Sequence, residues 1–189
     1  MDILIDFIIL ALVTYWSWRV LRASSIRNRF VKRLQKLCNE KGYRLRRERS
    51  GFASFFGIGG HPDLVVRTRD RYYCVRFVTV VDRARFYYFA NEEYAVSYQK
   101  GAIALPFASK ADTVSYRRRF VYLPPRITPK ELEGRDGVEW ILLFNPVPVE
   151  IATPDNTRTR QAVIGNGDMI GGSMIYDGRT FCQMLENVK

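Results

Sequence analysis

The sequence is poor in the residues that most often carry chemistry. Among 189 residues there are one histidine and three cysteines. A single histidine excludes a His-rich metal cage, and three cysteines, a sparse and odd number, exclude a disulfide-stapled mini-protein. Cys38, Cys74 and Cys182 have no CxxC or CxxH partner, so they read as small core residues rather than zinc ligands. No GxSxG turn presents a serine nucleophile, and His61 in its Gly-rich loop reads as a locally hydrogen-bonded side chain rather than a catalytic base. Gly57-Ile58-Gly59-Gly60 is followed by neither GK[ST] nor a helix start, so it is not a phosphate loop. There is no internal repeat and no low-complexity tract. With 47% hydrophobic and 26% charged residues, the chain is built to fold as one domain, or one domain plus an anchor.

What the sequence does have is positive charge, unevenly placed. The net charge is +11. Residues 1–18 carry only Asp2 and Asp6, whereas residues 19–50 carry twelve basic residues against Glu40 and Glu48. Residues 90–189 are balanced, with twelve of each sign. A nucleic-acid binder more often spreads basic residues over a folded face. A basic cluster directly after an apolar segment points instead to a lipid bilayer with anionic head groups.

That apolar segment, Ile3 to Trp18, contains one charge, Asp6. Extended to Leu21 it approaches the ~20 residues of a bilayer-spanning helix. Trp16 and Trp18 fit an aromatic belt, Arg19 and Arg22 fit snorkelling positions, and Arg27, Arg29, Lys32 and Arg33 fit a head-group face. A cleaved signal peptide would carry its basic residues before the apolar run, not after it. The expectation is a transmembrane anchor over 1–22 and an α+β domain over 23–189, a mixed or antiparallel sheet flanked by helices. The positive-inside rule then gives a single-pass protein of the cell membrane, N-terminus outside and domain cytoplasmic.

Beyond the anchor, Ser24 or Ser25 can cap a second helix whose apolar stripe is Ile26, Phe30, Leu34, Leu37 and Cys38, with Gly42 as its stop. Tyr43–Arg49 alternates as a strand. Asp63–Thr68 and Tyr72–Val81 form a hairpin around Arg69-Asp70-Arg71. Phe52, Phe55 and Phe56 read as a lid on the core. Short strands are expected at 86–89, 102–105 and 119–123, and Thr128–Glu131 reads as a short capped helix. Two further runs, 138–144 and 147–152, flank Asn145-Pro146 and read as edge strands or a bend. Residues 153–161 and 165–172 read as loops, with Asp168 a turn residue. Ser173–Tyr176 is a short strand, and Asp177-Gly178 opens a last helix striped by Phe181, Leu185 and Val188. Glu92-Glu93 reads as a solvated pair, and Arg117-Arg118-Arg119 as a charged strand edge.

The order helix 25–41, strand 43–49, then a hairpin opening on Pro62-Asp63 resembles the restriction-endonuclease-like superfamily, the PD-(D/E)xK nucleases with their Mrr-like and NERD-like members, over roughly residues 25–105. The resemblance implies a divalent metal on Asp63, with an acid and, two residues on, a lysine from the next strand pointing into the same site. Here that strand reads YYCVRFVTVV. Its alternating pairs, Tyr73/Val75, Cys74/Arg76 and Arg76/Val78, supply neither carboxylate nor lysine. Asp63 alone gives Mg²⁺ too few oxygens, and only Glu40, Glu48 or Asp82 could make up the set.

The sequence is therefore read as a membrane-tethered binding or scaffold module without catalysis or cofactor. One alternative is a membrane-anchored nuclease or nucleic-acid binder centred on Asp63, the only reading that calls for Mg²⁺. Another is an accessory subunit of a membrane complex, in which Asp6 meets a protein partner inside the bilayer.

Overall fold

A computed structural model describes residues 2–48, 60–78, 85–89, 94–102, 114–123, 125–145, 147–148, 150–154 and 161–188. The first element is a single helix, α1 (Asp2–Lys41). No proline or glycine occurs before Gly42, so nothing breaks the helix at Ser24-Ser25, and the expected boundary between residues 22 and 23 falls inside it. Ser24 instead accepts a side-chain hydrogen bond from Asn28. The stop is as expected. Gly42 has φ +70°, the Gly42 N–H donates to Asn39 O, and the Tyr43 N–H donates to Cys38 O at 2.7 Å, a Schellman closure.

The transmembrane expectation is overturned. Among the described residues no helix is long and apolar enough to cross a membrane. Asp6 interrupts the apolar run one turn in, and Thr14, Tyr15, Ser17 and Arg19 dilute its far half. The uninterrupted stretch Phe7–Val13 has seven residues, a rise of about 10 Å against ~30 Å of hydrocarbon. The single-pass placement, with an outside N-terminus and a cytoplasmic domain, falls with it.

The domain is α+β with a mixed sheet. Its strands are β1 (Arg44–Arg47), β2 (Leu64–Arg67), β3 (Tyr72–Val78), β4 (Arg85–Phe89), β5 (Tyr94–Ala102), β6 (Val114–Tyr122), β7 (Val138–Phe144), β8 (Glu150–Pro154), β9 (Gln161–Val163), β10 (Met169–Ile170) and β11 (Ser173–Asp177). A 3₁₀ turn spans Lys130–Leu132, and helix α2 spans Gly178–Asn187. Six strands form one sheet in the order β1-β2-β3-β7-β11-β10, and five form another in the order β6-β5-β4-β8-β9. In the first sheet β1, β2 and β3 are an antiparallel meander, while β7 runs parallel to both β3 and β11. Strand β7 is therefore central, not an edge. The strand ends at Phe144, before Asn145-Pro146 in the sequence, so no proline falls within its ladder.

Helices α1 and α2 cover one face of this sheet. Phe30, Leu34 and Cys38 of α1 meet Phe181, Cys182 and Leu185 of α2 over Val66, Tyr73, Val75 and Ile141. Leu34 is wholly buried, worth about 2 kcal/mol in apolar transfer. Gly178 lets the helices meet: a Cβ there would lie 2.9 Å from the Phe30 ring. Asp177 caps α2, its Oδ1 accepting from the Arg179 and Thr180 N–H groups, both at 2.8 Å. On the other face Val65, Cys74 and Trp140 pack under Leu132 of the 3₁₀ turn.

Several local expectations change. Residues 94–100, left unassigned by the pattern, belong to β5, and the strand expected at 119–123 is the longer β6. The turn at Lys130–Leu132 carries no side-chain cap, because Pro129, not Thr128, holds the cap position. Residues 165–172 include β10. Phe52, Phe55, Phe56, Asp82, Glu92-Glu93 and residues 103–105 lie outside the described residues.

Candidate functional site

The sequence pointed to Asp63, and the fold decides what Asp63 does. It lies just before β2, its N–H donating to Val75 O at 2.8 Å and its carbonyl accepting from the Glu48 N–H at 3.0 Å. Its carboxylate is buried, and Oδ2 accepts a 2.6 Å hydrogen bond from the Phe77 N–H of β3. Arg27 from α1 packs its guanidinium 4.7 Å from the Phe77 ring centre. Burial pulls that guanidinium below its ordinary pKa, and the charge of Asp63 opposes the shift. Asp63 thus ties β1, β2 and β3 together and faces a cation supplied by the chain.

The neighbouring strand positions complete this picture. Arg76, two residues after Cys74, is buried, donates from Nη2 to Gly60 O, and lies 5.3 Å from the Trp140 ring centre. Glu48 is an ion-pair partner of Arg46, and Glu40 pairs with Lys36 at 3.8 Å on the exposed face of α1. Neither carboxylate is committed to Asp63. Among the described residues no group of three His, Cys, Asp or Glu side chains could hold a metal ion. Cys38, Cys74 and Cys182 are free and buried, and burial pushes the Cys38 and Cys74 thiols up to about 11. At neutral pH they are inert thiols of the core.

The residues assigned to a head-group face divide. Arg29, Lys32 and Arg33 are exposed, as is Lys36 one turn on. Arg27 turns inward onto Phe77. Trp18 is exposed, together with Leu4, Phe7 and Leu10 of the same half-helix, at 67%, 69% and 63%. Trp16, Arg19 and Arg22 lie on the same helix, where their backbone alone is described. Arg117-Arg118-Arg119 sits on β6, at one edge of the five-stranded sheet. His61 is exposed, and Asp168 closes a turn by accepting from the Gly165 N–H.

A second constellation escaped the sequence reading. At the far end of the β2–β3 hairpin from Asp63, a cleft of about 610 Å³ is lined by Arg44, Arg46, Arg67, Tyr72, Glu131 and Arg135. Arg44 of β1 is directly opposite Arg67 of β2, which is directly opposite Tyr72 of β3. Arg67 and Arg135 both lie against the Tyr72 ring, 5.4 and 5.8 Å from its centre, and Arg135 donates to the Tyr72 hydroxyl at 3.1 Å. Arg46 makes a two-pronged pair with Glu131, both bonds 2.8 Å. That pair raises the Arg46 pKa and lowers that of Glu131. Alternating arginines at 44 and 46 put two charges on one strand face, a signal within reach of the pattern. Arg135 comes from a segment more than sixty residues away from Tyr72 in sequence and gives no such signal.

No protein-family model matches the chain, and neither a curated protein nor a solved structure matches it.

Proposed function

We propose that the chain is a non-catalytic binding module that docks on an anionic lipid surface without crossing it. The observation that carries this reading is the make-up of α1. Its first half exposes large apolar side chains, and it runs without a break into the exposed bases Arg29, Lys32, Arg33 and Lys36. A bare apolar helix in water needs a cover, and a basic face next to it favours anionic head groups, at about 1 kcal/mol for each cation near the surface.

The domain is read as a restriction-endonuclease-like core that has lost its chemistry. Supporting this are the order α1-β1-β2-β3, the parallel pairing of β7 with β3, and the position of Asp63 at the head of β2. The absence of catalysis rests on Asp63 being bound to backbone and faced by Arg27, with Arg76 where the acid-x-lysine pair would stand.

The test is co-sedimentation of the full chain with vesicles of phosphatidylcholine alone and of phosphatidylcholine with phosphatidylglycerol, at low and high salt. Binding only to the anionic vesicles, weakened by salt and lost in the Arg29→Glu/Lys32→Glu/Arg33→Glu/Lys36→Glu variant, is the expected result. Equal indifference to both vesicles overturns the lipid reading. Cleavage of DNA with Mg²⁺ or Mn²⁺ would revive the nuclease alternative and overturn the non-catalytic one.

A further inference from the structure

We propose that the cleft between Arg44, Arg67 and Arg135 is a binding site for a phosphate-bearing small molecule. The inference is independent of the lipid reading and uses a different part of the molecule.

The first support is an electrostatic arrangement that the ligand-free fold does not explain. Arg44 and Arg67 are directly opposite each other across an antiparallel pair, where like charges repel. Among the described residues no carboxylate lies within ion-pair distance of Arg44, Arg67 or Arg135. The carboxylate that lines the cleft, Glu131, pairs with Arg46. Four guanidiniums, of Arg44, Arg46, Arg67 and Arg135, therefore share the lining carboxylate Glu131, which is held by Arg46 and also feels the charge of Arg135, and an anion is the group that would complete the cleft.

The second support is rigidity. Arg44 and Arg67 stand on paired strands. Arg67 and Arg135 are held against Tyr72, and the Tyr72 hydroxyl fixes the Arg135 fork. Planar guanidinium forks set in advance match the oxygens of a phosphate, several of which can be engaged at once. A carboxylate offers two oxygens and one charge, so three forks favour the phosphate.

The third support is size. A volume of about 610 Å³ falls in the ~300–1,000 Å³ range of small-molecule sites. Tyr43, Leu45, Val65 and Leu132 also line the cleft and give an organic remainder an apolar wall. A duplex backbone would instead be read along a stripe of basic residues, whereas these three converge on one concavity.

The test is calorimetric titration of the full chain in mild detergent with inorganic phosphate, pyrophosphate and dihexanoyl phosphatidate, alongside thermal unfolding. We expect pyrophosphate to bind at millimolar concentration or below and to raise the unfolding midpoint. Arg67→Ala and Arg135→Ala should each weaken binding by about tenfold or more, and Arg135→Lys should restore only part of it, because the fork is lost while the charge remains. Arg44→Gln should weaken binding without lowering the midpoint of the ligand-free protein, which separates a lost ligand contact from misfolding. Preference for phosphatidate over pyrophosphate would place the phosphate on a lipid, and the reverse on a soluble metabolite. The proposal is overturned by no binding of any of the three at millimolar concentration. It is equally overturned by affinity unchanged in Arg67→Ala and Arg135→Ala.

Discussion

The two ends of the β2–β3 hairpin treat charge in opposite ways. At one end Asp63 is buried, accepts from a backbone N–H of β3, and faces Arg27 across the α1 packing. At the other end Arg44, Arg67 and Arg135 line a cleft whose lining carboxylate, Glu131, is already held by Arg46. Both ends look polar and chemical in sequence. The difference is where the counter-charge comes from. A charge that the fold itself satisfies holds strands together. A charge that the fold leaves unsatisfied is available to something from outside.

The sharpest way to break that contrast is at Asp63. Replacing it with alanine leaves the Phe77 N–H without its acceptor and Arg27 without its counter-charge in a buried setting. The expected loss is about 4 kcal/mol of unfolding free energy, measured by urea denaturation. Metal-dependent DNA cleavage should be absent before and after the change. A stable Asp63→Ala protein that loses an activity would move Asp63 from the structural end of the comparison to the functional one.

A second contrast lies within α1 and has a similar, slightly smaller expected size. Leu34 is wholly buried between the sheet and α2, whereas Leu10 is 63% exposed. Leu34→Ala should lower stability by about 3 kcal/mol, and Leu10→Ala should leave it within about 0.5 kcal/mol. If the lipid reading holds, the ranking reverses in a vesicle-binding assay, where Leu10→Ala is the damaging change.

These contrasts also show what was legible in the sequence. The stripe Phe30-Leu34-Leu37-Cys38, the Gly42 stop, the β2–β3 hairpin and the last helix were all readable. Each is set by local rules of periodicity, turn chemistry and capping that act within a few residues. The run Ile3–Trp18 is misleading by its length, because Asp6 and the Thr14–Arg19 segment leave only Phe7–Val13 as an unbroken apolar stretch. The central position of β7 could not be read either. Its partners β3 and β11 are each separated from it by a long stretch of chain, and Pro146 suggested an edge. Asp63 was found, since Pro-Asp before an apolar strand is a local signal. Its role depends on Arg27 and Phe77, which arrive from other elements. The arginine cleft was missed for the same reason, because Arg135 joins it only through tertiary packing.

Asp177 offers a smaller effect with a pH signature. Partial burial pushes its carboxyl up, but hydrogen bonds from the Thr180 N–H and hydroxyl, from Asn166 and from the Arg179 N–H outweigh this and hold it below the usual carboxylate range. A carboxyl with a depressed folded value stabilises fully above its unfolded value, about pH 4, and loses that stabilisation as pH falls through the folded one. Asp177→Ala should cost about 1 kcal/mol at neutral pH. It should also flatten this part of the acid limb in a series of urea midpoints. An acid limb identical to that of the parent would mean that the cap is not ionised in the way its contacts imply.

The smallest expected effect bears most directly on the comparison. Most single substitutions destabilise a protein, and an arginine that packs or pairs usefully would be no exception. Arg44 has a like charge directly opposite it in Arg67 and no carboxylate among the described residues within ion-pair distance. Arg44→Gln keeps a long polar side chain and removes the repulsion, so the ligand-free protein should be more stable by about 0.5 kcal/mol. Low salt should enlarge the gain, because screening already relieves part of the repulsion at high salt. Saturating pyrophosphate should reverse the order, with the parent overtaking the variant as ligand linkage adds to the folded state. A variant less stable than the parent at every salt and ligand concentration would show that Arg44 is held by the fold after all, and the two ends of the hairpin would no longer differ.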